Sequence, residues 1–277
     1  MHLPIMPLDE PFNVYQKYLT SPSNGIALWN PSPVEGLYDV VSIGDVGYIC
    51  DGSFIRMFNV LLPWNDPSNG KLGKPEEFKS LEQGPFVNVL ERDLEGAEYH
   101  SPHVVKVENA LDIHARSPEE SVTVLSWTAI IFTLTIHLYF CIGRAQGHTY
   151  ICQARSYGAL LSLPHGGRQI DVIRTRVFEN YISDNAESWF DWSGKWGLPV
   201  DRIEDLILVT GCTLVTSWGA AAFCDNTAPL DSSTSISLSA QKYHGEVHYN
   251  WSKIRGYVTY HSHFNTVRYP GYVFSIN

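Results

Sequence analysis

The sequence predicts an α+β fold: a mainly antiparallel, twisted sheet with long hairpins and one main amphipathic helix at about residues 171–192. Three observations carry this. Alternating and β-branched stretches recur on both sides of one segment with helical spacing, an Asp-Gly pair separates two apolar runs, and the last third returns to strand patterns. The chain has 277 residues, 44% hydrophobic and 13% aromatic, enough for a substantial core. We read residues 36–277 as a single α+β domain, because no repeat, low-complexity tract or second boundary interrupts them.

Residues 1–35 are rich in Pro, Asn and Ser without a sustained period, which predicts an irregular N-terminal arm. From Gly47 to Leu62, two strands flank Asp51-Gly52, a pair suited to a type I′ turn because both central positions need positive φ. Residues 64–77 read as a surface loop and 86–90 as a further strand. Residues 108–115 read as a short helix that stops before Ser117-Pro118.

Val122 to Ile142 is the most unusual stretch, 21 residues without a formal charge. Its β-branched content favours extended structure. Phe132, Leu134, Ile136, Leu138 and Phe140 alternate with Thr133, Thr135, His137 and Tyr139, so the apolar set shares one face of a strand. Three readings stay open: a core strand, a membrane-inserting hairpin whose apolar set contacts lipid, and a transmembrane helix.

Residues 148–153 and 158–164 then give two strands, with His165-Gly166-Gly167 as the turn into the helix and Asp171 as its N-cap. Val172, Ile173, Val177, Phe178, Tyr181, Ile182, Trp189 and Phe190 recur at helical spacing, and Gly194 or Gly197 ends the run. The cluster Trp189, Phe190, Trp192 and Trp196 reads as a cap on the core at the helix end. Residues 206–212 and 213–223 read as an antiparallel pair, 235–239 alternates, and 245–249 with 257–264 reads as a last hairpin.

A formal net charge of −10 argues against nucleic-acid binding, which needs a basic face, and against tight docking to anionic lipid. It leaves a membrane or a protein as the partner. The N-terminus lacks the basic start and apolar core of a secretory signal, and five scattered cysteines imply no disulfide framework. Both point to a cytoplasmic protein.

Candidate chemistry is sparse. His244, His248, His261 and His263 fall on the last hairpin as same-face pairs, and they are the residues that would hold zinc or a similar ion. Exposed strand histidines are the competing reading. His165-Gly166-Gly167 has the composition of an oxyanion loop, but no Gly-x-Ser-x-Gly accompanies it. No phosphate loop, dinucleotide fingerprint, His-Glu-x-x-His or kinase signature occurs, and no motif calls for a cofactor.

Three segments together, GYICDGSFIRMFNVLLPWNDPSN (47–69), GALLSLPHGG (158–167) and LILVTGCTLVTSWGAAAF (206–223), resemble a family of uncharacterised intracellular proteins of mushroom-forming fungi. The resemblance covers about half the chain and implies no activity or catalytic residue. In layout, the order of apolar hairpin, amphipathic helix, strand and second hairpin is similar to the pore-forming domain of gasdermins. Three functions follow as expectations: a membrane-active protein working through amphipathic hairpins, a metal-dependent enzyme of unrecognised class using the histidines, and a non-enzymatic interaction module.

Overall fold

The computed structural model describes residues 10–20, 25–32, 40–63, 65–67, 69, 73–81, 88–108, 146–152, 157–224, 234–243, 246–255, 258–264 and 272–276. Its fold is α+β with antiparallel sheets, as the alternating patterns predict.

Four stretches of chain build three of the sheets. The N-terminal part first contributes helix α1 (Pro11–Leu19), strand β1 (Ile26–Ala27) and the hairpin β2 (Asp45–Cys50) and β3 (Ser53–Asn59). The first stretch then holds β4 (Val89–Leu94), β5 (Ala97–His100) and β6 (Val104–Glu108). The second holds β7 (Gln146–Cys152), β8 (Gly158–Leu163) and β9 (Gly167–Val172), and helix α2 (Thr175–Lys195) follows it. After β10 (Ile207–Leu208), the third stretch holds β11 (Gly211–Val215), β12 (Ser217–Phe223) and β13 (Thr234–Tyr243). The fourth holds β14 (Glu246–Arg255), β15 (Val258–Phe264) and β16 (Tyr272–Ile276).

The strand order is β1-β16-β11-β9-β4 in a base sheet, β15-β12-β8-β5 in a middle sheet and β14-β13-β7-β6 in a tip sheet. All three sheets therefore present the fourth, third, second and first stretches in the same order. Each stretch runs antiparallel to its neighbours. At the base–middle corner, Gly166 adopts φ +68, and a Cβ there would lie 1.8 Å from the Leu94 carbonyl oxygen. The first and second stretches approach each other so closely at this bend that only a glycine fits.

Both faces of the middle sheet are covered. Ala159, Leu161, Trp218, Ala220 and Ala222 pack beneath Val14 and Tyr15 of α1 and beneath Trp29. On the other face Leu160, Ala221 and Phe223 join Val104, Tyr150, Cys152, Ile236 and Leu238 in a second cluster. Helix α2 does not sit on these sheets. Its Phe178, Trp189 and Trp192 pack on Val46, Met57 and Phe58 of the β2–β3 hairpin, with Phe58 edge-on to both tryptophans. The hairpin's other face, through Phe54, meets Cys212 and Leu214 of the base sheet.

The Asp51-Gly52 turn forms as predicted, with φ +49 and +75 between paired Cys50 and Ser53. Gly52 fits beneath the Cβ atoms of Trp29 and Phe12, and Asn30 binds the backbone carbonyls of both turn residues.

Several expectations are corrected. Within residues 1–35, read as an irregular arm, Pro11–Leu19 is helical with Val14 and Tyr15 fully buried. Helix α2 begins at Thr175 rather than 171, because Gly167–Val172 is a strand bonded on both sides by β4 and β11. Asp171 is thus no N-cap, and it accepts an ion pair from Arg92 at 3.1 Å. Residues 206–223 do not form one antiparallel pair. β10 pairs with β2, whereas β11 and β12 enter different sheets on either side of Thr216. The last hairpin joins β13 to β14, while β15 pairs with β12. The expected helix at 108–115 and the stretch 122–142 lie outside the described residues, apart from Glu108 at the end of β6.

Candidate functional site

The tip sheet brings one strand of each of the four stretches side by side. Glu108 of β6 stands opposite His148 of β7, His148 opposite Leu238 of β13, and Leu238 opposite Trp251 of β14. Beyond this level the first stretch leaves at residue 108 and the second enters at 146. The third and fourth continue to the pair Tyr243 and Glu246. Glu108, Gln146 and the Tyr243–Glu246 pair therefore lie toward the same end of the tip sheet. Residues 109–145 contain the uncharged run 122–142 and the five apolar candidates Phe132, Leu134, Ile136, Leu138 and Phe140, all outside the described residues. The described base of the tip is firmly built, with Tyr150, Cys152 and Ile236 fully buried. Burial pushes the Cys152 thiol up to about 12, so it stays protonated at neutral pH.

The histidines divide between sheets. His248 lies on β14 of the tip sheet, opposite Gln241, and His261 and His263 lie on β15 of the middle sheet, opposite Ala220 and Trp218. His244 and the side chains of His248 and His263 are outside the described residues. His261 is packed as an aromatic. Its ring stacks on Trp29 at 4.1 Å and meets Trp218 edge-on at 4.7 Å. Its Nε2 is buried without a partner, and burial lowers its pKa to about 4 even though the ring bonds the Trp29 backbone. Tyr15, edge-on to Trp29 at 5.1 Å, likewise buries an unpartnered hydroxyl. This Tyr15–Trp29–His261–Trp218 stack pins the N-terminal segment onto the middle sheet. No sequence motif marks it, since its members are drawn from α1, the segment after β1, β15 and β12.

His165 lies at the base–middle corner rather than at a helix start, and its Nδ1 is joined to Ser217 Oγ by a 2.9 Å hydrogen bond. The loop thus ties two stretches together instead of presenting amides at a helix N-terminus. Of the aromatic cluster at the end of α2, Trp189 and Trp192 are buried, whereas Trp196 is 62% exposed.

A cleft of about 500 Å³ lies between the end of α1 and the base–middle corner, lined in part by Tyr18, Leu94, Tyr99, Leu161, Gln169 and Thr213. Nearby Glu98 is engaged with Lys106 at 2.7 Å. Among the described residues, no three or more His, Cys, Asp or Glu side chains gather as metal ligands. No described helix is long and apolar enough to cross a membrane, which leaves crossing by strands untouched. No protein-family model, curated protein or solved structure matches the chain.

Proposed function

We propose that this protein acts on lipid membranes by extending β-hairpins from its tip sheet. The observation that carries the reading is a coincidence of topology and sequence. The uncharged, alternating run 122–142 falls in the sequence between β6 and β7, two strands that pair with each other in the sheet that also holds β13 and β14. Extension of β6 and β7 into that segment would continue an existing antiparallel pair, so the backbone hydrogen bonds that lipid demands would be supplied strand to strand. A spanning strand needs about nine to eleven residues. The 15 residues from Thr128 to Ile142 meet that length with Phe132, Leu134, Ile136, Leu138 and Phe140 toward lipid and the hydroxyl-bearing set toward water.

The surplus of acidic residues sets the lipid preference: a net charge of −10 disfavours an anionic surface. The test is dye release from vesicles with the purified full chain. Release from zwitterionic vesicles, undiminished by salt, is the expected result. Intact vesicles in every lipid mixture would overturn the reading.

A further inference from the structure

The cleft of about 500 Å³ is shared by the middle sheet, the base sheet and the end of α1, and its lining consists of described residues. Small-molecule sites span about 300–1,000 Å³, so this one has the right size. Its walls divide by chemistry. Leu161 and Leu163 of β8 are buried and give it an apolar floor. Tyr99 of β5 stands opposite Leu161, and it packs half-buried with Tyr18 of α1 against the same cluster. At the base-sheet end, Gln169 of β9 stands opposite Thr213 of β11, which places both side chains on one face of that sheet. The Gln169 carboxamide is half-buried. It carries a donor and an acceptor at fixed spacing, and the threonine hydroxyl can play either part.

The charges bordering the cleft are paired off. Glu98 and His100 also border it, but alternate residues of a strand face opposite ways. With Tyr99 turned toward α1, their side chains leave β5 on the other side, and the Glu98 carboxylate takes Lys106 at 2.7 Å. In the base sheet Arg92 stands opposite Gln169, and its guanidinium is joined to Asp171 at 3.1 Å. A charged ligand seated over the leucines would lose hydration and compete with these pairs for a counter-charge. A neutral ligand avoids both costs.

We propose that this cleft binds a small, neutral, flat heterocycle with a lactam edge. Its rings lie against the two tyrosines and the leucines, where apolar burial and ring contact supply the affinity. Its edge meets Gln169. The ligand N–H donates to Oε1 and the ligand carbonyl accepts from Nε2, a pairing that a hydrocarbon or a carboxylate cannot make. The inference stands apart from the membrane reading, because the lining comes from α1 and from the base and middle sheets, with no residue of the tip sheet.

The test is calorimetry and ligand-observed NMR of the full chain, without lipid, using three bicyclic probes of similar size: quinazolinone, naphthalene and naphthoate. Quinazolinone is expected to bind saturably, one molecule per chain, and about tenfold more tightly than either of the others. Gln169→Met keeps the length of the side chain and removes both polar groups. It is expected to weaken quinazolinone about tenfold and to leave naphthalene unchanged, with the thermal midpoint reporting that the variant is folded. Tyr99→Leu keeps an apolar wall without the ring, so it serves where the first variant fails to fold. It is expected to weaken quinazolinone about fivefold. No saturable binding of quinazolinone, equal binding of the three probes, or binding indifferent to both folded variants would overturn the proposal.

Discussion

His261 and Asp45 show how single ionisable groups respond to burial in this fold. Asp45 has no exposed surface, and burial raises its carboxyl to about 6 although Arg56 lies 3.0 Å away. The Ser42 amide and Asn59 Nδ2 each donate to it at 2.7 Å. A raised carboxyl stabilises the fold below its unfolded pKa near 3.8, and that contribution is lost as pH rises through about 6. The depressed imidazole of His261 acts in the opposite sense. Its contribution is present above 6.5 and is lost as pH falls toward about 4. The two slopes oppose each other, so the wild-type stability changes little across this window. His261→Phe retains the stack on Trp29 and removes one slope. Urea denaturation of this variant is expected to show stability falling by about 2 kcal/mol as pH rises from 4 to 6. Asp45→Asn is expected to leave the converse slope, with stability rising with pH, on a fold weakened by about 3 kcal/mol through loss of the Arg56 partner.

Among the elements, the β2–β3 hairpin was the most legible, and the reason is local. A two-residue turn with both φ values positive requires its own residue types, and Asp51-Gly52 supplies them whatever packs around it. Packing then adds a constraint that the sequence hides. A Cβ at Gly52 would lie 2.6 Å from the Trp29 Cβ, at a φ that disfavours alanine. Gly52→Ala is expected to lower stability by about 2 kcal/mol or more, read as a fall in the thermal midpoint, while Asp51→Asn is expected to be near neutral. The start of α2 was less legible, because Ile170 and Val172 suit a strand and a helix equally until β4 and β11 claim them. Helix α1 was hidden by its length. At nine residues it draws its stability from the burial of Val14 and Tyr15 rather than from propensity.

At the scale of the whole molecule, the sequence disclosed the class of fold but not its plan. Alternation identifies a strand without naming its neighbour. The neighbours here lie far apart along the chain, as when Ala97 meets Leu163 and Gly219 meets Ser262. The corners were also silent: at Thr216 a run that reads as one long strand changes sheet, a choice made by the stretches on either side. For the same reason His248 stands on β14 of the tip sheet while His261 and His263 stand on β15 of the middle sheet, a division that spacing along the chain does not show. Conversely, that the uncharged run 122–142 lies between two paired strands follows only from the strand order of the tip sheet, not from its own pattern.

The proposed insertion of residues 132–140 into lipid is tested by a fluorescence scan. Single cysteines placed in a cysteine-free background at each position from Phe132 to Phe140 would carry an environment-sensitive dye, read before and after vesicles are added. The account predicts a two-residue period, with positions 132, 134, 136, 138 and 140 moving into lipid and the intervening positions remaining in water. A uniform response, a helical period, or no change at any position would contradict it.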